Sequence, residues 1–250
     1  QAILAAIDSY DRSPDITLHG GEPLCLPMED VELLLAKMAE KCPDRAGIQT
    51  NGLNINQEYI RMFKKYKTHV GISFDGPGEL SYGRTKHPEI IEEKIKMCLD
   101  AGLRMSILIV LNKFNGRGEN LAKLKEYLVW CQKNKIAGGR INACMGGGSD
   151  YDLEPDELVA AELDLAHFCM QNGYDWSPFR DVVNKLKGVQ GICALEGCDP
   201  YHTPSAEVLL GDGTFTNCMR MNKDRILYRH PEYKDVRTEL LRETAQNLGG

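Results

Sequence analysis

Apolar residues along the first two thirds of the chain alternate between two rhythms, short β-branched runs and longer stretches at helical spacing. The short runs predict strands over Asp15–Leu18, Gly47–Thr50, Val70–Phe74, Met105–Leu111 and Arg140–Cys144. Between them, Glu29–Lys41, Gln57–Tyr66, Pro88–Ala101, Glu119–Asn134 and Pro155–Asn172 predict helices. Pro27 and Pro155 stand near helix starts, and Gly102 follows Asp100-Ala101 where a left-handed C-cap is expected. Strand and helix in alternation predict an α/β fold with a parallel sheet, either closed towards a barrel or spread open, and periodicity alone does not choose between the two.

The rhythm changes after Gly173, so a boundary is expected there: residues 1–172 as the sheet domain, 173–192 as a linker and 193–250 as a small second domain. In the last part, Val208-Leu209-Leu210 and Thr214-Phe215-Thr216 flank Gly211-Asp212-Gly213 and predict a hairpin, and Thr238–Asn247 predicts a final helix. The opening Gln-Ala-Ile-Leu-Ala-Ala-Ile reads as the end of an amphipathic helix and does not begin with Met, so the chain is expected to start partway through its gene product.

Composition narrows the classes. A length of 250 residues with 42% apolar content supports one sizeable core and a small satellite. A formal charge of -6 gives no basic surplus for a phosphate backbone, which argues against nucleic acid as partner. No apolar run reaches bilayer length and no basic leader is present, so a soluble, cytoplasmic protein without a membrane partner is expected. Nine cysteines scattered through an α/β pattern do not read as a disulfide framework. Cys25, Cys42, Cys98, Cys131, Cys144 and Cys169 mostly fall where cores are expected, whereas Cys193, Cys198 and Cys218 lie in a Gly- and Pro-rich stretch and are candidate metal ligands.

Ligands of parallel α/β sheets bind beyond the carboxyl ends of the strands, and four strand exits here are polar and glycine-bearing. They are His19-Gly20-Gly21-Glu22-Pro23, Thr50-Asn51-Gly52, Ser73-Phe74-Asp75-Gly76-Pro77 and Asn112 to Asn115. Each alone reads as a tight turn, and His19 as a hydrogen-bonded structural residue. Together they offer Glu22 as acceptor for an ammonium group, fixed by Pro23, with Ser73 and Asn51 as neutral partners and glycine backbone for a bulky moiety. That set suits an amino acid joined to a nucleoside and suits a phosphate poorly.

The ordered series His-Gly-Gly-Glu-Pro, Gln-Thr-Asn-Gly and Ile-Ser-Phe-Asp-Gly-Pro resembles strand exits of radical S-adenosylmethionine (SAM) enzymes, most strongly over Ile16–Pro77. The resemblance implies a partial (β/α)6-type parallel barrel and assigns Gly20, Gly21, Glu22 and Pro23 to the methionine end of the cofactor. It further implies contacts to the carboxylate and ribose from Ser73, Thr50, Asn51 and Arg84, with Asn115 among the cofactor-binding set. Asp75 resembles an acid or base near the substrate, and reads equally as a turn-capping carboxylate. Near the other end, Cys198, fourteen intervening residues, Gly213, four more and Cys218 resemble the opening half of the SPASM domain, which holds auxiliary iron-sulfur clusters; a zinc site or isolated thiols are the alternative.

Those resemblances imply S-adenosylmethionine, a catalytic [4Fe-4S] cluster and one or two auxiliary [4Fe-4S] clusters as cofactors. The three-cysteine motif for the catalytic cluster has no counterpart before Cys25, and no cysteine follows Cys218. A chain truncated at both ends, and inactive alone, is therefore expected, with a degenerate relative as the alternative. The intact enzyme is expected to form a 5′-deoxyadenosyl radical and modify a peptide or protein, with flavodoxin or ferredoxin as electron donor. The expected product is a ribosomal peptide carrying a thioether or carbon-carbon crosslink or an epimerised centre. The rivals are an anaerobic sulfatase-maturating enzyme, a non-radical barrel lyase or aldolase using Glu22, Asp75 and His19, and a non-catalytic iron-sulfur or zinc module.

Overall fold

In a computed structural model, the described residues are 2–8, 15–136, 138–144, 150–189, 208–209 and 215–216. The chain divides into two compact units, Tyr10–Arg180 on one hand and Gln1–Ser9 with Asp181–Gly250 on the other. The larger unit is a six-stranded parallel sheet of β1 (Ile16–Leu18), β2 (Ala46–Thr50), β3 (His69–Ser73), β4 (Met105–Leu111), β5 (Gly138–Ala143) and β6 (Asp175–Ser177), adjacent in chain order. Its crossovers carry α2 (Met28–Lys41), α3 (Gln57–Lys65), α4 (Pro88–Asp100), α5 (Gly118–Lys133) and α6 (Pro155–Asn172). Each strand is thus joined to its parallel neighbour through one helix, the (β/α) pattern of a partial barrel. In the smaller unit lie α1 (Ala2–Asp8) and a two-stranded antiparallel ribbon of β7 (Val208–Leu209) and β8 (Phe215–Thr216), where the hairpin is expected; α7 (Phe179–Leu186) begins in the larger unit and continues into this one.

Strand period separates the sheet into two unlike faces. Along β4, Met105, Ile107, Ile109 and Leu111 are buried while Ser106, Leu108 and Val110 are half-buried. Parallel register sets Ile72 beside Ile107 and Ile109 beside Ile141, and Ile48 beside Val70, so one face is a continuous apolar layer. The helices supply matching stripes: Val31, Leu35 and Met38; Ile91, Ile95 and Cys98; Leu124, Leu128 and Cys131; Ala161, Leu165 and Cys169. These stripes and the apolar sheet face make the core, at about 1.5–3 kcal/mol for each large side chain taken from water. The same register aligns polar rows on the opposite face: Thr17, Gly47 and His69; Gln49, Gly71 and Ser106; Ser73, Leu108, Arg140 and Ser177.

Two differences from the sequence pattern concern β5 and β6. β5 begins at Gly138 rather than Arg140, because Gly138 and Gly139 carry no side chains to mark a strand; a Cβ on Gly139 would sit 1.9 Å from the carbonyl oxygen of Ile107, so glycine permits this close pairing. β6 falls inside the stretch expected to be a linker. Its three residues pair with Gly138–Arg140, and its one large apolar side chain, Trp176, is fully buried. Such a run is too short to show a period. Cys193, Cys198, Cys218 and the expected helix over Thr238–Asn247 lie outside the described residues. Among the described residues no helix is long and apolar enough to cross a membrane.

Candidate functional site

The residues following β1 and β2 meet at one carboxylate. Gly20 and Gly21 leave β1 with φ of 85 and 53, a left-handed stretch that lets the backbone turn sharply and leaves it open to a ligand. Glu22 follows. Its Oε1 accepts from the Thr50 hydroxyl at 2.6 Å and from Leu24 N at 3.1 Å, and its Oε2 accepts from Asn51 N at 2.7 Å. A carboxylate offers about four acceptor positions, so one remains on this group after three are occupied. Pro23 is buried and opens the short 3₁₀ turn Pro23–Cys25 that holds Glu22 against the exit of β2. Asn54 Nδ2 donates to Leu24 O at 3.1 Å and ties the same two loops again. Thr50 is buried, and its hydroxyl also accepts from Gly52 N at 3.1 Å, so its one hydrogen is committed within the loops. The Asn51 side chain accepts from Leu53 N at 2.9 Å. His19 is exposed.

A second group gathers around the exits of β3 and β4. Asp75 is 1% exposed, and its Oδ1 accepts from Arg84 Nη2 at 2.8 Å and from Val110 N at 2.7 Å. Burial pushes its carboxyl above the usual range, against the opposing pull of Arg84 and of the Val110 amide. Arg84 Nε is buried without a hydrogen-bond partner. Asn115 is fully buried; its Oδ1 accepts from Asn112 N at 2.8 Å and its Nδ2 donates to Val110 O at 2.9 Å. Its amide therefore shapes its own loop, and any service to a ligand would be through that loop's shape. Ser73 is half-buried at the end of β3, and its Oγ accepts from Gln49 Nε2 at 3.0 Å.

Sequence reasoning sets Glu22, Thr50 and Asn51 on one rim as separate cofactor contacts, and Asp75 and Arg84 as separate candidates; in the structure Thr50 and Asn51 bond to Glu22, and Arg84 to Asp75. It misses Gln49, which stands between Ile48 and Thr50 in β2. The signal was the strand period itself, since a glutamine between two buried residues must face the polar side. It also misses His69, whose Nε2 lies 2.9 Å from Ser106 Oγ at the opposite end of the sheet, and whose pKa is lowered by burial and then by Arg104.

The polar face fits the amino-acid end of S-adenosylmethionine: an anionic acceptor with one position open and glycine backbone at the rim. Among the described residues no group of three or more His, Cys, Asp or Glu side chains converges as a metal site. Cys25 is exposed and Cys144 half-buried, while burial raises Cys98 to about 11, Cys131 to about 12 and Cys169 to about 11. A cavity of about 570 Å³ lies on the helix side, lined by Phe74, Leu80, Ile95, Tyr127 and Trp130 among others, and includes none of Glu22, Asn51 or Ser73.

Residues 1–131 match the Radical SAM superfamily. Two curated proteins are similar in sequence: the uncharacterized protein sll1766 of Synechocystis sp., 32% identical over 148 residues, and the serine-type anaerobic sulfatase-maturating enzyme of Bacteroides thetaiotaomicron, 29% identical over 123 residues. The matches take in 56% and 44% of this chain and 30% of each relative, so the chain spans about a third of the length of these proteins. Among solved structures, native anSMEcpe with bound AdoMet and Kp18Cys peptide superposes with a TM-score of 0.70 at 18% identity, over 87% of this chain and 64% of that one. Streptococcus suis SuiB bound to the precursor peptide SuiA gives a TM-score of 0.57 at 15% identity, over 82% and 48%. At these identities the two structures speak for the shared fold.

Proposed function

The chain belongs to the radical SAM superfamily, and from that premise we propose that it forms the cofactor-binding barrel of an enzyme that modifies a peptide or protein by radical chemistry. The superfamily's cofactors are S-adenosylmethionine and a [4Fe-4S] cluster. When bound, S-adenosylmethionine supplies the hydrogen-abstracting chemistry. In the proposal, Glu22 receives the cofactor's ammonium group at the acceptor position left on its carboxylate, and Gly20 and Gly21 allow its close approach. Thr50, Asn51 and Pro23 hold Glu22 in place. Ser73 and Arg84 face the carboxylate and ribose, and the loop shaped by Asn115 bounds the site. Asp75 keeps Arg84 at the rim and is the candidate for moving a proton at its own carboxylate. Residues 193–250 are assigned to an auxiliary-cluster domain through Cys193, Cys198 and Cys218, and flavodoxin or ferredoxin to electron delivery.

The single observation that carries this reading is the Glu22 hub, one carboxylate bound by three donors from two strand exits with one acceptor position in reserve. Peptide as the substrate class draws support from the peptide-bound anSMEcpe and SuiB structures. Ribosomal peptide maturation remains the leading reading. Formylglycine formation is the second, favoured by the sequence similarity to a sulfatase-maturating enzyme.

The test is anaerobic incubation of the intact enzyme, its iron-sulfur clusters reconstituted, with S-adenosylmethionine, a reductant and candidate peptides, with 5′-deoxyadenosine and peptide mass followed together. Peptide-dependent 5′-deoxyadenosine is the expected result, and its absence with every peptide class would overturn the reading. Mass together with capture of aldehydes by a hydrazide then separates the two versions. Loss of two hydrogens without capture marks a crosslink, the same loss with capture an oxidised serine, loss of two hydrogens with exchange of sulfur for oxygen an oxidised cysteine, and an unchanged mass an epimerised centre.

A further inference from the structure

Gln49 and Gly71 lie side by side on the polar face, paired across β2 and β3, and Ser73 stands two residues further along β3 on that same face. The Gln49 side chain runs over Gly71 to reach Ser73, where its Nε2 donates to Oγ at 3.0 Å. A Cβ built on Gly71 would fall 2.2 Å from Gln49 Oε1 and 3.1 Å from its amide carbon, with the nearest other atom, Ile48 O, at 3.4 Å. What the missing Cβ leaves open is therefore a slot for the Gln49 amide and for little else.

A serine hydroxyl has one hydrogen and two acceptor positions. With one acceptor position filled by the Gln49 N–H, the Ser73 hydrogen is left to be aimed elsewhere. We propose that Gln49 is a positioning residue, seated in the Gly71 slot, that makes Ser73 a hydrogen-bond donor towards the carboxylate of S-adenosylmethionine. This rests on the cofactor reading above. Glutamine suits the task because its amide can donate; a carboxylate at the same place would accept the Ser73 hydrogen and set a negative charge facing the ligand's own.

The experiment compares two ligands by anaerobic equilibrium dialysis against the reconstituted native protein: S-adenosylmethionine and its decarboxylated analogue. Gln49→Leu is expected to weaken S-adenosylmethionine about tenfold, the scale of one hydrogen bond to a charged group, while the analogue changes by less than about twofold. Gly71→Ala is expected to give the same selective loss by expelling the amide, since the clash is with the far end of a flexible side chain and not with backbone. The two changes combined are expected to be no worse than one, because both remove a single interaction. Gln49→Glu is expected to weaken S-adenosylmethionine more than Gln49→Leu does. Equal weakening of both ligands would overturn the proposal, leaving Gln49 as packing alone. An unchanged S-adenosylmethionine affinity in Gly71→Ala would overturn it as well. If the unaltered protein binds neither ligand, the cofactor reading fails and this proposal with it.

Discussion

At Asp75, a carboxylate is held almost out of water by one guanidinium and one backbone amide. Desolvation outweighs both partners, so its folded-state pKa lies above the ordinary value. The folded protein then binds that proton more tightly than the unfolded chain. The stability linked to it is fully present below the ordinary carboxyl pKa and is lost as pH rises through the folded one. Asp75→Asn keeps an acceptor for Val110 N but cannot titrate. Relative to this variant, the native protein is expected to lose stability as pH rises from about 4, read by urea unfolding at a series of pH values. Parallel curves for the two proteins would show that the carboxyl is not raised. Asp75→Ala leaves the Val110 amide without an acceptor and strands Arg84, and is expected to cost about 2–4 kcal/mol across the range.

Four of the five crossover helices end in one motif. Thr68 N bonds to Phe63 O at 2.9 Å, Leu103 N to Cys98 O at 3.1 Å, Ile136 N to Cys131 O at 2.9 Å and Tyr174 N to Cys169 O at 2.9 Å. Each is the six-to-one bond of a Schellman ending, and the accepting residue is buried every time. The motif needs one left-handed residue. It is Gly102 after α4 and Gly173 after α6, but Lys67 after α3 with φ of 50 and Lys135 after α5 with φ of 63. A lysine in that conformation is strained against its own Cβ. Lys67→Gly and Lys135→Gly are therefore expected to stabilise by about 0.5–1 kcal/mol each, whereas Gly102→Ala is expected to cost about 1 kcal/mol. Urea midpoints at constant m-value would check the signs. Loss of stability in both lysine variants would mean that those side chains make contacts worth more than the strain.

For the whole molecule, cofactor binding and folding are linked, because the hub at Glu22 exists only when β1 and β2 are paired. S-adenosylmethionine at about a hundred times its Kd is expected to raise the unfolding free energy by about 2.7 kcal/mol, and Glu22→Ala to abolish the rise, read as thermal midpoints with and without ligand. A rise that survives Glu22→Ala would place the ligand elsewhere. The α/β class, five of the six strands and the rim loops were legible in the linear chain, since apolar runs and turn chemistry are local: β4 is a seven-residue run apolar but for Ser106, and Gly-Gly-Glu-Pro marks a turn wherever it occurs. β6 was not, because three residues before Pro178 carry no period and become a strand only where Gly138–Arg140 offer a partner. Nor could spacing say that Glu22 would bind Thr50, that Asp75 would bind Arg84 and the β4 backbone, or that Gln49 would lie in the gap left by Gly71. Asp75 and Arg84 meet within one connection, nine residues apart, through its fold; the other pairs are up to 35 residues apart along the chain and meet only through strand register. Residue types set what chemistry the rim could hold; the parallel pairing of β1 to β4, driven by burial of the apolar face, decided which of those groups face one another.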